Sequence, residues 1–90
     1  MGIKINIHVT HRCHTQGQKT VEVRGTSVGE ALKHLVDMYP GLENKIFDKK
    51  GNLQKYIEIY LNGESAYPNE LAKPVKDGDE IQVVTFLAGG

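Results

Sequence analysis

The chain has 90 residues, 39% of them hydrophobic, with 11 basic residues against 11 acidic ones. That length supports one modest core and excludes two, and the balanced charge supplies no field to draw in nucleic acid or an anionic membrane. No apolar run reaches membrane-spanning length, and the single Cys13 allows neither an intrachain disulfide nor an iron–sulfur cluster.

The first stretch, "GIKINIHVT", alternates Ile3, Ile5, Ile7 and Val9 with Lys4, Asn6 and His8, the period of a half-buried strand. It lacks the apolar core of a signal peptide, and Asn6 stands where a myristoylation signal has Ser or Thr. A reducing, cytoplasmic setting is the expectation. "HRCHTQGQ" is polar and contains Gly17, so it reads as a solvated hairpin loop leading to a second strand, "KTVEVRG", with Val21 and Val23 inward.

A helix comes next. Ser27 and Glu30 have capping-box spacing, and Val28, Ala31, Leu32, Leu35 and Val36 form one apolar stripe at helical period. His34 lies off that stripe, on the side expected to face solvent. Pro40 stops the helix, "LENKIFD" supplies a further helical turn, and "KKGN" is a turn. In "YIEIYLNGE", Ile57, Ile59 and Leu61 face one way and Tyr56, Glu58 and Tyr60 the other. Asn62-Gly63 marks a tight turn, because both positions tolerate positive φ. "AYPNELAKPVKDGDE" is irregular and ends in the turn Asp77-Gly78-Asp79, and "IQVVTFL" closes the chain as a strand with Ile81, Val83, Thr85 and Leu87 inward and Val84 and Phe86 outward. A hairpin, one helix and further strands make an α+β fold with a helix across one sheet face. With the most apolar strands, first and last, as parallel central neighbours, this is the β-grasp, or ubiquitin-like, arrangement. The whole of 1–90 is expected to be one such domain, with 88–90 as a flexible tail.

His8, His11, Cys13 and His14 offer ligands suited to zinc, nickel or copper. Their spacing matches no common zinc module, so no metal site is assigned, and His11, Cys13 and His14 are the residues one would use. No side chain pairs with Ser27 as a nucleophile would need, and no glycine-rich phosphate loop precedes a helix. The chain is therefore read as having no catalytic residues. Gly89 and Gly90 are different in kind. Two residues without Cβ can thread a channel too narrow for side chains, and a terminal glycine carboxylate is an unhindered acyl group. The tail makes sense as a substrate for another protein's active site.

The stretches "SVGEALKHLVDMYPGL", "IEIYLNGE", "LAKPVKDGDEI" and the terminal "LAGG" together resemble the ThiS/MoaD-like sulfur-carrier family, which includes the thiamine-pathway carrier and the small subunit of molybdopterin synthase. The resemblance implies a partner related to ubiquitin-activating enzymes that adenylates Gly90 with ATP and magnesium. A sulfur donor then leaves a thiocarboxylate, which a sulfur-acceptor biosynthetic enzyme consumes. The acceptor chemistry implied is of cysteine or homocysteine, molybdopterin or thiamine type. It further implies Gly90 as the modified residue, Gly89 as the clearance residue, no bound cofactor, and a monomer when free. A ubiquitin-like modifier joined through Gly90 to lysines of target proteins is the alternative. On the outward sheet face, Tyr60, Val84 and Phe86 are expected to form an apolar patch beside the tail, with Leu87 adjoining. That patch is where the activating partner is expected to dock, provided the loop at Tyr67–Pro74 does not cover it.

Overall fold

The computed structural model of the protein describes residues 2–85. Its strands are β1 (Ile3–Ile7), β2 (Thr20–Val23), β3 (Ile57–Leu61), β4 (Glu64–Ser65) and β5 (Glu80–Thr85), and its α-helices are α1 (Val28–Met38) and α2 (Glu43–Ile46). The strands form one mixed sheet in the order β2-β1-β5-β3-β4, with β1 parallel to β5 and every other pair antiparallel. The expected central parallel pair is therefore present.

The four longer strands each bury one side, as their alternation requires, while both residues of β4 are exposed. Ile3, Ile5 and Ile7 of β1, Val21 and Val23 of β2, Ile57 and Ile59 of β3, and Ile81 and Val83 of β5 are all buried. The register places Ile5 opposite both Val21 and Ile81, and Ile59 opposite Val83, so these side chains form one continuous apolar floor. Helix α1 lays Val28, Ala31, Leu32, Leu35 and Val36 on it. Leu42 and Ile46 close one end of the core. Burying each of the larger side chains contributes roughly 1.5–3 kcal/mol.

The N-cap of α1 differs from the expected box by one residue. Ser27 Oγ accepts from the Glu30 amide at 3.2 Å. The Glu30 carboxylate, however, reaches past Ser27 and accepts from both the amide and the hydroxyl of Thr26, each at 2.8 Å. These bonds, the backbone one foremost, hold the Glu30 carboxyl below its ordinary range. His34 is half-buried rather than exposed, because its Nδ1 accepts from the Arg24 amide at 2.9 Å and ties the end of β2 to the helix. Tyr56 precedes β3 and packs against the core instead of facing outward with Glu58 and Tyr60.

The turn between β3 and β4 has φ of 53° at Asn62 and 87° at Gly63, the left-handed pair that an Asn-Gly hairpin requires. After β4 the chain crosses to the helix side. A short 3-10 turn, Glu70–Ala72, packs on α1, and the Val28 amide donates to the Lys73 carbonyl at 2.9 Å. A Cβ on Gly29 would lie 3.0 Å from the Leu71 carbonyl oxygen, so this approach depends on glycine.

Candidate functional site

The described part of the chain nearest to Gly90 in sequence is the end of β5. Pairing with β1 ends at Ile7↔Val83, and pairing with β3 ends at Ile57↔Thr85. Past Ile7, the flank of β5 that β1 vacates is taken by a 3-10 segment, Val9–Thr15. This is the stretch expected to be a solvated loop. Its backbone is folded on itself instead: the Gly17 amide donates to the Arg12 carbonyl at 2.8 Å, and Gln18 donates to Thr15 at 3.0 Å. The Thr15 hydroxyl is fully buried and lies 2.9 Å from the Gln18 carbonyl, its acceptor, while Arg12 Nε donates to the Ile7 carbonyl at 3.2 Å. Polar composition misleads at His11 and Thr15, whose polar groups are satisfied inside the fold, while Cys13 and residues 16–18 are exposed as expected.

The segment buries His11 against Thr85. The two side chains are each 8% exposed, and a 2.8 Å hydrogen bond joins His11 Nε2 to Thr85 Oγ1. Either atom can donate, according to the imidazole tautomer. Burial is the main influence lowering the His11 pKa from its ordinary 6.5, followed by the charges of His14, His8 and Lys45. The ring is thus kept neutral where a solvated histidine begins to protonate. Ile7, Leu35, Leu42, Ile46 and Val83 line the small space beneath it.

The metal-ligand candidates are not assembled into a site. His11 is buried on Thr85, Cys13 is exposed, and the His14 ring is centred 6.4 Å from that of His11 at a 36° tilt. Among the described residues, no three His, Cys, Asp or Glu side chains converge as a metal would require.

The docking candidates Tyr60 and Val84 do share the sheet face away from α1, and both are half-buried. The register sets Val84 opposite Glu58 and Tyr60 opposite Gln82, so the two are diagonal neighbours. A hydrogen bond to the Glu58 carboxylate, and then its charge, raise the Tyr60 phenol pKa. Because the 67–74 loop packs its 3-10 turn on α1, on the other side of the sheet, that turn does not cover the pair. The face is less apolar than expected, however: Glu58 and Gln82 stand directly opposite the two, Asn6 lies beside Gln82, and Lys4, Glu22 and Glu80 carry the same face farther along the sheet. Phe86, Leu87, Gly89 and Gly90 lie outside the described residues.

The alternation of the last strand puts Thr85 on its inner face but names no partner for it. A lone hydroxyl in line with Ile81 and Val83 was the available signal, since a buried polar atom needs a hydrogen-bonding group opposite.

The sequence model of the ThiS family matches residues 6–90. The sulfur carrier protein CysO of Mycobacterium tuberculosis is 31% identical over 93 residues, spanning 100% of both chains. Small archaeal modifier protein 1 of Haloferax volcanii is 35% identical over 77 residues, covering 82% of this chain and 85% of that one. Among solved structures, a chain of the Amycolatopsis orientalis BexX/CysO complex superposes with a TM-score of 0.88 at 30% identity, covering 99% of this chain and 100% of the other. The sheet order, the helix that crosses it and a match running through both terminal glycines all agree: the chain belongs to the ThiS family.

Proposed function

We propose that the protein is a sulfur carrier and that the carboxylate of Gly90 is its working group. The observation that carries this reading is the extent of the family match, which runs to residue 90 and so includes Gly89 and Gly90. The full-length similarity to a sulfur carrier protein supports it. In this reading the chain is a protein co-substrate rather than an enzyme. An adenylating enzyme of the ubiquitin-activating type binds it with ATP and magnesium. A Gly90 carboxylate oxygen attacks the α-phosphorus, and pyrophosphate leaves. A sulfide-level sulfur donor then adds to the acyl carbon, AMP departs with the oxygen, and the terminus becomes a thiocarboxylate. Adenylation turns a poor leaving group into a good one, and the protein body delivers the sulfur nucleophile to a biosynthetic acceptor at high effective concentration. Gly89 supplies clearance in the enzyme's channel. Among the described residues no helix is long and apolar enough to cross a membrane; in this reading the reaction takes place in the cytoplasm.

Incubation with such an enzyme, ATP, magnesium and sulfide should add the mass difference between sulfur and oxygen to the intact protein. Deleting Gly90, or extending the chain beyond it with a bulky residue, should abolish that change while leaving the unfolding midpoint unaltered. Undiminished thiocarboxylate formation by the truncated chain would overturn the reading. The similarity to an archaeal modifier protein favours a second use of the same terminus, conjugation to lysines of target proteins. In cells this would give high-mass conjugates that are lost with Gly90.

A further inference from the structure

The final hydrogen-bonded tie on β5 comes from a residue 74 positions away in sequence. Among the described residues, no pairing with β1 lies beyond Val83, and Thr85 is the last one paired to β3. Its side chain is held from the vacated side by His11 at 2.8 Å. His11 is itself set in a segment whose backbone is closed by the Arg12–Gly17 and Thr15–Gln18 bonds. Gly90 lies five positions beyond Thr85, a reach of at most about 18 Å. The direction in which β5 ends therefore bounds where the Gly90 carboxylate can be delivered.

We infer that His11 is a positioning residue for the reaction at Gly90: its bond to Thr85 fixes the root of the tail, so that the carboxylate meets the partner's nucleotide in line. This rests on the sulfur-carrier reading. A packing role alone would not need the hydroxyl. Valine has the shape of threonine and the better strand propensity, and Ile81 and Val83 already fill the same inward row. The polar pair adds direction, because a hydrogen bond has an angular preference that an apolar contact lacks. Neutral imidazole suits the role, and burial together with the charges of His14, His8 and Lys45 keeps the ring in that state.

The test is steady-state adenylation, read as pyrophosphate release with a purified adenylating enzyme of the ubiquitin-activating type from the same organism. Thr85→Val and His11→Leu each remove the bond with little change in volume. Both should lower kcat at least about tenfold, the order expected when reacting groups are misaligned by a fraction of an ångström. KM for the carrier should stay within about twofold, because the docking face is untouched. His11→Gln places an amide nitrogen near the position of Nε2 and should recover most of kcat. The two deletions approach the bond from opposite ends, so the inference does not hinge on one variant folding, and rates are referred to folded protein by circular dichroism. A purely structural role predicts altered unfolding midpoints with unaltered kcat, and that result would overturn the inference. So would a His11→Gln variant as slow as His11→Leu. If the wild-type chain is not adenylated at all, the carrier reading falls and this inference with it. If the wild type reacts normally and Thr85→Val matches it, the inference alone falls.

Discussion

His11 is a base that the fold keeps uncharged, and this has a consequence for stability. Its proton affinity in the folded state is lowered from an ordinary pKa of 6.5, first by burial and then by the neighbouring positive groups. As pH falls below 6.5, the unfolded chain takes up a proton that the folded chain still refuses, so the unfolded state gains. The contribution of His11 is thus undiminished above that pH and is lost progressively below it, until the folded ring itself protonates. Urea unfolding from neutral pH toward pH ~5 should show a falling midpoint that is flatter in His11→Gln, whose side chain has no proton to gain. Equal slopes in the two proteins would mean that another group dominates this window. The Glu30 and Asp79 carboxyls are also lowered, but from 4.5 and 3.8, so what they contribute is lost only at lower pH. The sequence leaves this behaviour hidden. A histidine among Arg12, Cys13 and His14 has no apolar period around it, and only the matching hydroxyl on the far strand brings it inside.

At the scale of elements, the two glycine turns that stand 15 residues apart in the chain form a single joint. The Asn62 amide nitrogen donates to the Asp79 carboxylate at 3.1 Å, and its amide oxygen accepts from the Glu80 amide at 2.9 Å. The Lys76 amide also donates to Asp79 at 3.0 Å, and that backbone bond is the largest cause of the lowered Asp79 pKa. Asn62 is thus both the left-handed residue of one turn and the clamp on the other. Asn62→Ala removes two hydrogen bonds and places a Cβ-bearing residue of lower left-handed tolerance at φ 53°. It should cost about 2 kcal/mol, read as a fall in Tm of roughly 10 °C in a domain this small. Asn62→Gly keeps the turn and should cost less. At the helix, Ser27→Ala should cost about 1 kcal/mol, as loss of an N-cap does. Both turns, the cap and the stripe of α1 were legible as sequence, because each follows from local chemistry or a repeating period. The clamp between the turns was not, since it needs the register of β3 on β5. Nor was the side taken by the 67–74 loop, which is anchored by isolated apolar residues such as Leu71 and Val75 rather than by a pattern.

Taken as a whole, the molecule has a closed side and an open one. Helix α1, the 3-10 turn at Glu70–Ala72 and Leu42 and Ile46 cover one face of the sheet, and the other carries Tyr60 and Val84 opposite Gln82 and Glu58, with Lys4, Glu22 and Glu80 farther along the same face. A small apolar centre with a charged rim is the anatomy of a protein-binding patch, and it adjoins the strand from which residues 86–90 continue. We propose that the adenylating enzyme docks here, anchored by Tyr60 and Val84 and by Phe86 and Leu87, which come next in sequence. Neither Tyr60 nor Val84 belongs to the buried core, so substitutions there separate binding from folding. Val84→Lys puts a charge at the centre of the patch and should weaken binding to the enzyme at least about tenfold, with little change in unfolding midpoint. Phe86→Ala, which removes an aromatic anchor, should do the same. Lys4→Ala, farther out on the same face opposite Glu80, should act mainly on the association rate and lose its effect at high salt. Titration calorimetry and stopped-flow mixing distinguish these cases. A Val84→Lys protein that binds normally would place the docking surface elsewhere, whereas a Phe86→Ala protein that binds normally yet unfolds easily would assign Phe86 to the core.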